Sequence, residues 1–230
     1  MSARTSVLAW MAGTPLDPLW IAKRSLRRGL ARVAAQGRGR LLDVGCGVKP
    51  YRAMFSGVSW YLGIERPGTL SRSSVIDVYA DALALPFRGG SFDSVLCNEV
   101  LEHVTDPARL FAEAARVMKP GATLILSTPQ TWGLHEEPFD FFRYTRYGLE
   151  HLARGAGFEV LEIRATCGTF ATVGQRLASF FFYSTRAYRV APVNLLIRIP
   201  LALGQIVAVA LDELSGRRGD TIDNVLVARR

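Results

Sequence analysis

The sequence predicts an α/β protein whose parallel sheet carries helices on both faces, and three observations lead there. Short apolar runs alternate along the chain with stretches of helical periodicity, the arrangement that wraps a parallel sheet in crossover helices. At 230 residues the chain is long enough to close one full core with at most a smaller appendage. Hydrophobic residues make up 49% of it and aromatics 10%, which excludes general disorder.

The first element is a helix. "PLWIAKRSLRRGLARVAA", residues 18–35, sets Ile21, Leu26, Leu30 and Val33 on one face and Arg24, Arg27, Arg28 and Arg32 around the other. Such a basic amphipathic helix serves either as a surface helix with solvated arginines or as a contact for anionic lipid or an acidic partner. Four strands follow: "RLLDVG" (40–45), "WYLGIE" (60–65), "SVIDVYA" (74–80) and "FDSVLCNEV" (92–100). Asp106 before Pro107 is a helix N-cap with proline at the first helical position, so "ARLFAEAARVM" continues as a helix that "KPGA" ends. "TLILSTP" (123–129) is the fifth strand. Thr145 caps the helix "RYGLEHLARGA", Gly157 stops it, and "FEVLEIRA" (158–165) is the sixth strand. "NVLVARR" (224–230) reads as a sheet edge or an inserted antiparallel strand.

The segment 170–215 is more than a minimal sheet needs. Its most apolar part, Ile199 to Leu211, spans thirteen residues and contains Pro200 and Gln205, too short and too interrupted for a spanning helix of about twenty apolar residues. A helical cap on the core is one reading, and a membrane-surface or dimer contact is the other. Cys46, Cys97 and Cys167 are far apart and form no metal-ligand spacing, which points to a reducing compartment and no disulfide framework. "VLAWMAG" is too short and too weakly led by basic residues to act as a cleaved signal.

The net charge of +8 is unevenly spread. Residues 1–40 hold eight Lys and Arg against one acid, residues 41–160 eleven against fourteen, and residues 161–230 nine against five. A slightly acidic middle argues against a groove that tracks a phosphate backbone, and nucleic acid is not the expected partner.

A sheet of this kind binds its ligand beyond the carboxyl ends of its strands. After the first strand, Gly45 and Gly47 let backbone approach a ligand, and Asp43 stands ready to orient the turn or accept a hydrogen bond. Glu65 ends the second strand about twenty residues later, an offset at which an acid accepts from ribose hydroxyls. Asp81 follows the third strand and Asn98 ends the fourth. Lys49 and Pro50 stand where the dinucleotide fingerprint GxGxxG would need its last glycine, so a nicotinamide or flavin dinucleotide is disfavoured.

"LLDVGCG", "YLGIE", "ADALALPFRGGSFDSVLCNEVLEHVTDP" and "RVMKPGATLILSTP" resemble the successive motifs of class I S-adenosylmethionine-dependent methyltransferases of the type 11 kind, over roughly residues 40–165. The resemblance implies a Rossmann-like, doubly wound, seven-stranded sheet with its last strand antiparallel, to which the extra apolar segment of this chain adds a helical C-terminal insertion. The organisation expected is a basic helical segment at 1–39, the cofactor core at 40–169, an apolar helical insertion at 170–215 and the final strand at 216–230. The resemblance further implies S-adenosyl-L-methionine as cofactor, with Asp43, Gly45, Cys46 and Gly47 around its methionine portion. Glu65 would meet its ribose hydroxyls, Asp81 and Ala82 its adenine, and Asn98 and Val100 would stand beside the sulfonium. Lys49 departs from the family's usual glycine; it lies at the rim to attract an anionic substrate or is solvated, and Pro50 is expected to open the next helix.

Methyl transfer to an aliphatic hydroxyl benefits from a nearby base, and histidine titrates in the useful range. His103 and His135 are the candidates, His103 as base or loop cap and His135 in the segment after the fifth strand, while mid-helix His151 reads as structural. Glu99, Glu102 and His103 also resemble an ExxEH segment that holds a divalent metal in some methyltransferases of this class, and His135 could complete the set. Whether a metal is needed is left open by the sequence. "FDFFRYTRYGL" puts Phe141, Phe142, Tyr144 and Tyr147 with Arg143 and Arg146, suited to an aromatic ring or sugar face beside an anionic group. The expected acceptor is a hydroxyl or amine of a small molecule, a glycan or a lipid-linked compound, with peripheral membrane contact and a homodimer as candidate associations. The expected location is the cytoplasm, including the inner membrane face. A cofactor-fold protein that acts as a non-catalytic binding or partner subunit is the alternative.

Overall fold

The computed structural model describes residues 13–68, 74–184 and 191–230. These divide into two compact units, one formed by residues 29–165 with 223–230 and the other by residues up to 28 with 166–222.

The first unit holds a seven-stranded sheet in the order β3-β2-β1-β4-β5-β7-β6. Its strands are β1 (Gly39–Val44), β2 (Val58–Glu65), β3 (Val78–Tyr79), β4 (Phe92–Asn98), β5 (Met118–Pro129), β6 (Glu159–Ala165) and β7 (Asp223–Arg229). Strands β1 to β5 pair in parallel, and β7 is inserted antiparallel between β5 and β6. The doubly wound sheet with an antiparallel last strand is therefore the architecture of the protein, and "NVLVARR" is an inserted strand and not an edge.

Alternation along the strands explains the core. Leu42 and Val44, Val95 and Cys97, and Leu124 and Leu126 point to one face, where they pack in a single buried cluster with Leu110 and Phe111 of α2 (Pro107–Val117) and Leu149 of α3 (Arg146–Gly155). The intervening Leu41, Leu96, Ile125 and Val227 are buried as well, as a sheet covered on both faces requires. Both helix starts follow their caps: Asp106 accepts from the Arg109 amide at 2.9 Å, and Thr145 accepts from the Gly148 amide at 3.2 Å.

Three details differ from the sequence reading. The third strand shrinks to Val78–Tyr79, because Asp77 turns its carboxylate to the Gly63 amide and the Lys49 ammonium. "KPGA" does not follow α2 as a loop but lies within β5, which starts at Met118 opposite Phe92 and slips register by Ser94, near Gly121 at φ +77°. No helix opens at Pro50; a single 3-10 turn, Arg52–Met54, returns the chain to β2.

The second unit contains α4 (Thr169–Ser184) and α5 (Ala191–Leu214), which pack against each other. Helix α1 (Trp20–Val33) belongs to this unit up to Arg28 and continues into the sheet unit.

Candidate functional site

The carboxyl ends of β1, β2 and β4 are held together by backbone before any side chain is considered. Val44 lies between Ile64 and Cys97 in the ladder, and the chain then turns so that the Gly45 and Cys46 amides both donate to the Ile64 carbonyl, at 3.0 and 2.9 Å. Gly45 sits at φ +71°, and a Cβ there would come within 2.2 Å of Val100 Cγ2. Glycine is required at that position twice over, by conformation and by the approach of the loop after β4. Gly47, at φ +50°, faces open space instead, with nothing within 4 Å of where a Cβ would stand.

Glu65 ties this loop to β2. One carboxylate oxygen accepts from the Gly47 amide and the other from the Arg66 amide, each at 3.0 Å. Each oxygen keeps a second lone pair for a ligand donor. The next strand end adds an exposed Asp81, whose Oδ1 accepts from the Leu83 amide at 2.9 Å, with half-buried Ala82 beside it. The Ala80 amide donates to the Glu65 carbonyl at 2.9 Å, which sets the two acidic ends side by side.

Asp43 is buried within β1, 4% exposed, and Tyr61 donates its hydroxyl to Asp43 Oδ2 at 2.5 Å. Burial pushes this carboxyl up to about 7 against the pull of the Tyr61 bond and the Lys49 charge. Cys46, also buried, has its thiol pushed up to about 12 by burial and then by Asp43, so it is no nucleophile. Lys49 is neither at the rim nor solvated. It takes φ +56°, its side chain is only 6% exposed, and its Nζ bonds Asp77 Oδ2 at 2.5 Å. Its Cε passes over Gly63, where a Cβ would meet it at 2.4 Å, so the residue in the glycine position is a strut under the loop after β1.

A second cluster adjoins this one through Val100. Half-buried Asn98 ends β4, and the Ser127 hydroxyl donates to its Oδ1 at 2.7 Å and is shared with Glu99 Oε1 at 2.8 Å. Burial raises Glu99 to about 7. Glu102 is fully buried in the 3-10 turn Leu101–His103. Thr128 donates to its Oε2 at 3.1 Å, and Oε1 has no hydrogen-bond partner. Burial and then the charge of Glu99 hold the Glu102 carboxyl well above the usual range, and buried Asp223 at the start of β7 is raised likewise by burial and by Glu99 and Glu102.

His103 adjoins this cluster, its side chain 15% exposed against 0% for Glu102. Its Nδ1 donates to the Phe139 carbonyl at 2.7 Å, which leaves Nε2 unprotonated in the neutral ring and 3.7 Å from Glu102 Oε1. The His135 ring meets it edge to face at 4.8 Å between centroids, with His135 Nδ1 3.2 Å from Asp140 Oδ2. Asp140 is held well below the usual carboxylate range by two bonds from Arg143, each at 2.7 Å, and accepts the His135 amide at 2.9 Å. Donor atoms of Glu102, His103 and His135 all lie within 4.8 Å of one another, a spacing on which a divalent cation could close.

Both candidate histidines are thus brought together. Arg143 is not available for an anionic acceptor, because it is consumed by Asp140 and by the Trp132, Gly133 and Phe142 carbonyls. Tyr144 is buried against the Leu101 carbonyl, and Arg146 stacks on exposed Tyr147 at 4.8 Å. Sequence reasoning missed Tyr61, Asp77, Ser127, Thr128 and Asp140. Only Asp140 left a signal, its spacing of three from Arg143; the others are joined to the site by strand register.

The family model described as a methyltransferase domain matches residues 42–126, from β1 through the core of β5. An uncharacterized methyltransferase of Mycolicibacterium paratuberculosis is 33% identical over 195 residues, which cover 74% of this chain and 72% of that protein. The ubiquinone biosynthesis O-methyltransferase of Xanthomonas campestris pv. campestris is 33% identical over 162 residues, covering 63% of each chain, so this protein spans less than two thirds of that relative's length. A crystal structure of an S-adenosylmethionine-dependent methyltransferase from Mesorhizobium loti shares the fold, with a TM-score of 0.55 at 20% identity over 94% of this chain and 100% of the other. The family match begins one residue before Asp43 and takes in every strand end that forms the rim, and the chain belongs to the class I S-adenosylmethionine-dependent methyltransferases.

Proposed function

We propose that the protein transfers a methyl group from S-adenosyl-L-methionine to a hydroxyl, or an amine, of a small-molecule, glycan or lipid-linked acceptor. The observation that carries this reading is the convergence of Gly47, Glu65 and Asp81 on one rim: open backbone, then two carboxylates with acceptor capacity left over. These residues fit the cofactor. Gly47 leaves room for a ligand where a side chain would stand, Glu65 suits the paired hydroxyls of a ribose, and exposed Asp81 suits the adenine amine. Asp43, Gly45 and Cys46 support the loop from beneath, Ala82 lies beside Asp81, and Asn98 and Val100 stand between the end of β4 and the turn that carries His103.

The bound cofactor supplies a methyl carbon on a positively charged sulfur, already a good leaving group. What remains for the protein is alignment, exclusion of water and removal of one proton. In the neutral ring His103 Nε2 is the nitrogen without a proton, and it takes the proton of the acceptor hydroxyl. His103 is held in that tautomer by the Phe139 carbonyl, and His135 is fixed beside it by Asp140. Glu102 Oε1 lies 3.7 Å from His103 Nε2 but is buried, so it is His103 that an acceptor hydroxyl meets.

Relatives support an oxygen acceptor: the Xanthomonas campestris protein carries O-methyltransferase in its name. The test is transfer of labelled methyl from the cofactor to a panel of hydroxylated aromatics, glycans and lipid-linked compounds, with product identified by mass spectrometry. His103→Gln should bind cofactor normally and lower kcat by about 10²-fold or more. A folded wild type that binds cofactor and methylates nothing in a broad panel, amines included, would favour the binding-subunit reading.

A further inference from the structure

Helices α4 and α5 are packed inside out. The inward face of α4 carries Ala171, Thr172, Gln175 and Ala178, and that of α5 carries Arg198, Ala202, Gln205 and Asp212, none more than 7% exposed. The polar groups among them are satisfied within the unit. Gln175 donates to the Pro18 carbonyl at 2.7 Å, Arg198 to that of Leu16 at 2.6 Å and Gln205 to that of Pro15 at 2.9 Å, while Asp212 accepts from the Gly168 amide at 2.8 Å. Gly174 lets Ala208 close in, since a Cβ on Gly174 would stand 2.3 Å from the Ala208 Cβ.

Phe182 is buried under the Arg198 guanidinium, but most of the large apolar side chains point the other way. Phe170, Val173, Leu177 and Phe180 of α4 are 47–62% exposed, and Leu196, Ile199 and Leu203 of α5 are 52–70% exposed. Across residues 196–211 of α5, no exposed residue is charged. A helix in water turns its apolar stripe to the core and its charges outward. Small residues at the helix contact, polar side chains as internal glue and bulky apolar groups outside are the pattern of helices that meet an apolar medium.

The charge of the same unit says which medium. Residues 1–28 and 166–222 contain eleven Lys and Arg against four Asp and Glu, a net +7 of the chain's +8. Arg24, Arg28 and Arg217 surround the single carboxylate of Glu213 at 3.9, 3.1 and 3.4 Å, which leaves that cluster positive. A second copy docked on this face would bring a second +7 beside the first, whereas an anionic leaflet neutralises it.

We propose that the outward face of α4 and α5 seats in the surface of an anionic lipid bilayer, with its apolar side chains among the upper acyl segments and the basic residues of its unit at the headgroups. Among the described residues no helix is long and apolar enough to cross a membrane, so the contact is with one leaflet. The inference stands apart from the acceptor chemistry.

The test is co-sedimentation of the full chain with vesicles of phosphatidylcholine alone and of phosphatidylcholine mixed with phosphatidylglycerol. The protein is expected to partition onto the anionic vesicles, more weakly as salt is raised. Leu203→Asp with Ile206→Asp should lower that partition by about 100-fold or more. Both side chains face outward, so its thermal melt in lipid-free buffer should match the wild type. Leu203→Trp should shift its emission to the blue on anionic vesicles. Wild type that stays in the supernatant would overturn the inference, and so would equal partition by the double aspartate variant. A lipid-free dimer that the double variant dissociates, without vesicle binding by the wild type, would give the face to a second copy and also overturn it.

Discussion

Asp43 carries a conflict between burial and charge that pH should expose. Its carboxyl titrates at about 7 in the fold and at 3.8 in a free chain. Between those values the native state binds the extra proton, so this group's contribution is fully present below 3.8, falls as pH rises and is lost above about 7. Asp43→Asn keeps an acceptor for the Tyr61 hydroxyl and removes the titration. Relative to wild type it should gain stability from pH 5 to pH 8, on the order of 2 kcal/mol; differential scanning calorimetry at both values checks this, and parallel curves would contradict it. Gly45 makes a steric prediction. Gly45→Ala meets Val100 and an unfavourable φ, at a cost of about 1–3 kcal/mol, and Val100→Ala added to it should restore part of that loss by relieving the clash alone. The sequence made Asp43 and Gly45 visible as site candidates through their motif, but not the partners that set their behaviour. Tyr61 lies eighteen residues from Asp43 and is joined to it across the β1–β2 ladder.

At the scale of elements, the loop after β1 shows where sequence reading stops. Its glycines and the flanking strands are local features and were legible. The fate of Lys49 was not, because it depends on Asp77 of the neighbouring strand approach and on the missing side chain of Gly63. Lys49→Ala loses the ion pair while keeping a Cβ at φ +56°, whereas Lys49→Gly loses the pair but relieves the backbone. Chemical denaturation should therefore find Lys49→Gly the more stable of the two by about 0.5–1 kcal/mol. The reverse order would mean that the backbone at 49 is not strained. Helix α2 was legible at its start for the opposite reason: Asp106 and Pro107 act on their own next turn, and Asp106→Ala should cost about 1 kcal/mol. Its end was read less well, since pairing of Met118 with Phe92 draws "KPGA" into β5.

For the molecule as a whole, alternation of strands and helices told the sheet class, while the motif resemblance supplied the insertion of β7 between β5 and β6. The histidine pair was visible only as two residues thirty-two positions apart; the fold joins them because Phe139 and Asp140 orient the rings from one short loop. If His103 acts as the base without a metal, a chelator should leave turnover unchanged, and turnover that falls with chelator and returns with a divalent cation would assign the Glu102, His103 and His135 group to metal instead. The central claim is the cofactor rim, and isothermal calorimetry of S-adenosyl-L-methionine and its demethylated product with wild type, Glu65→Ala and Asp81→Ala tests it most directly. The account predicts micromolar binding by the wild type and a loss of about tenfold or more in each variant. A folded wild type that binds neither compound, or variants that bind as well as the wild type, would contradict it.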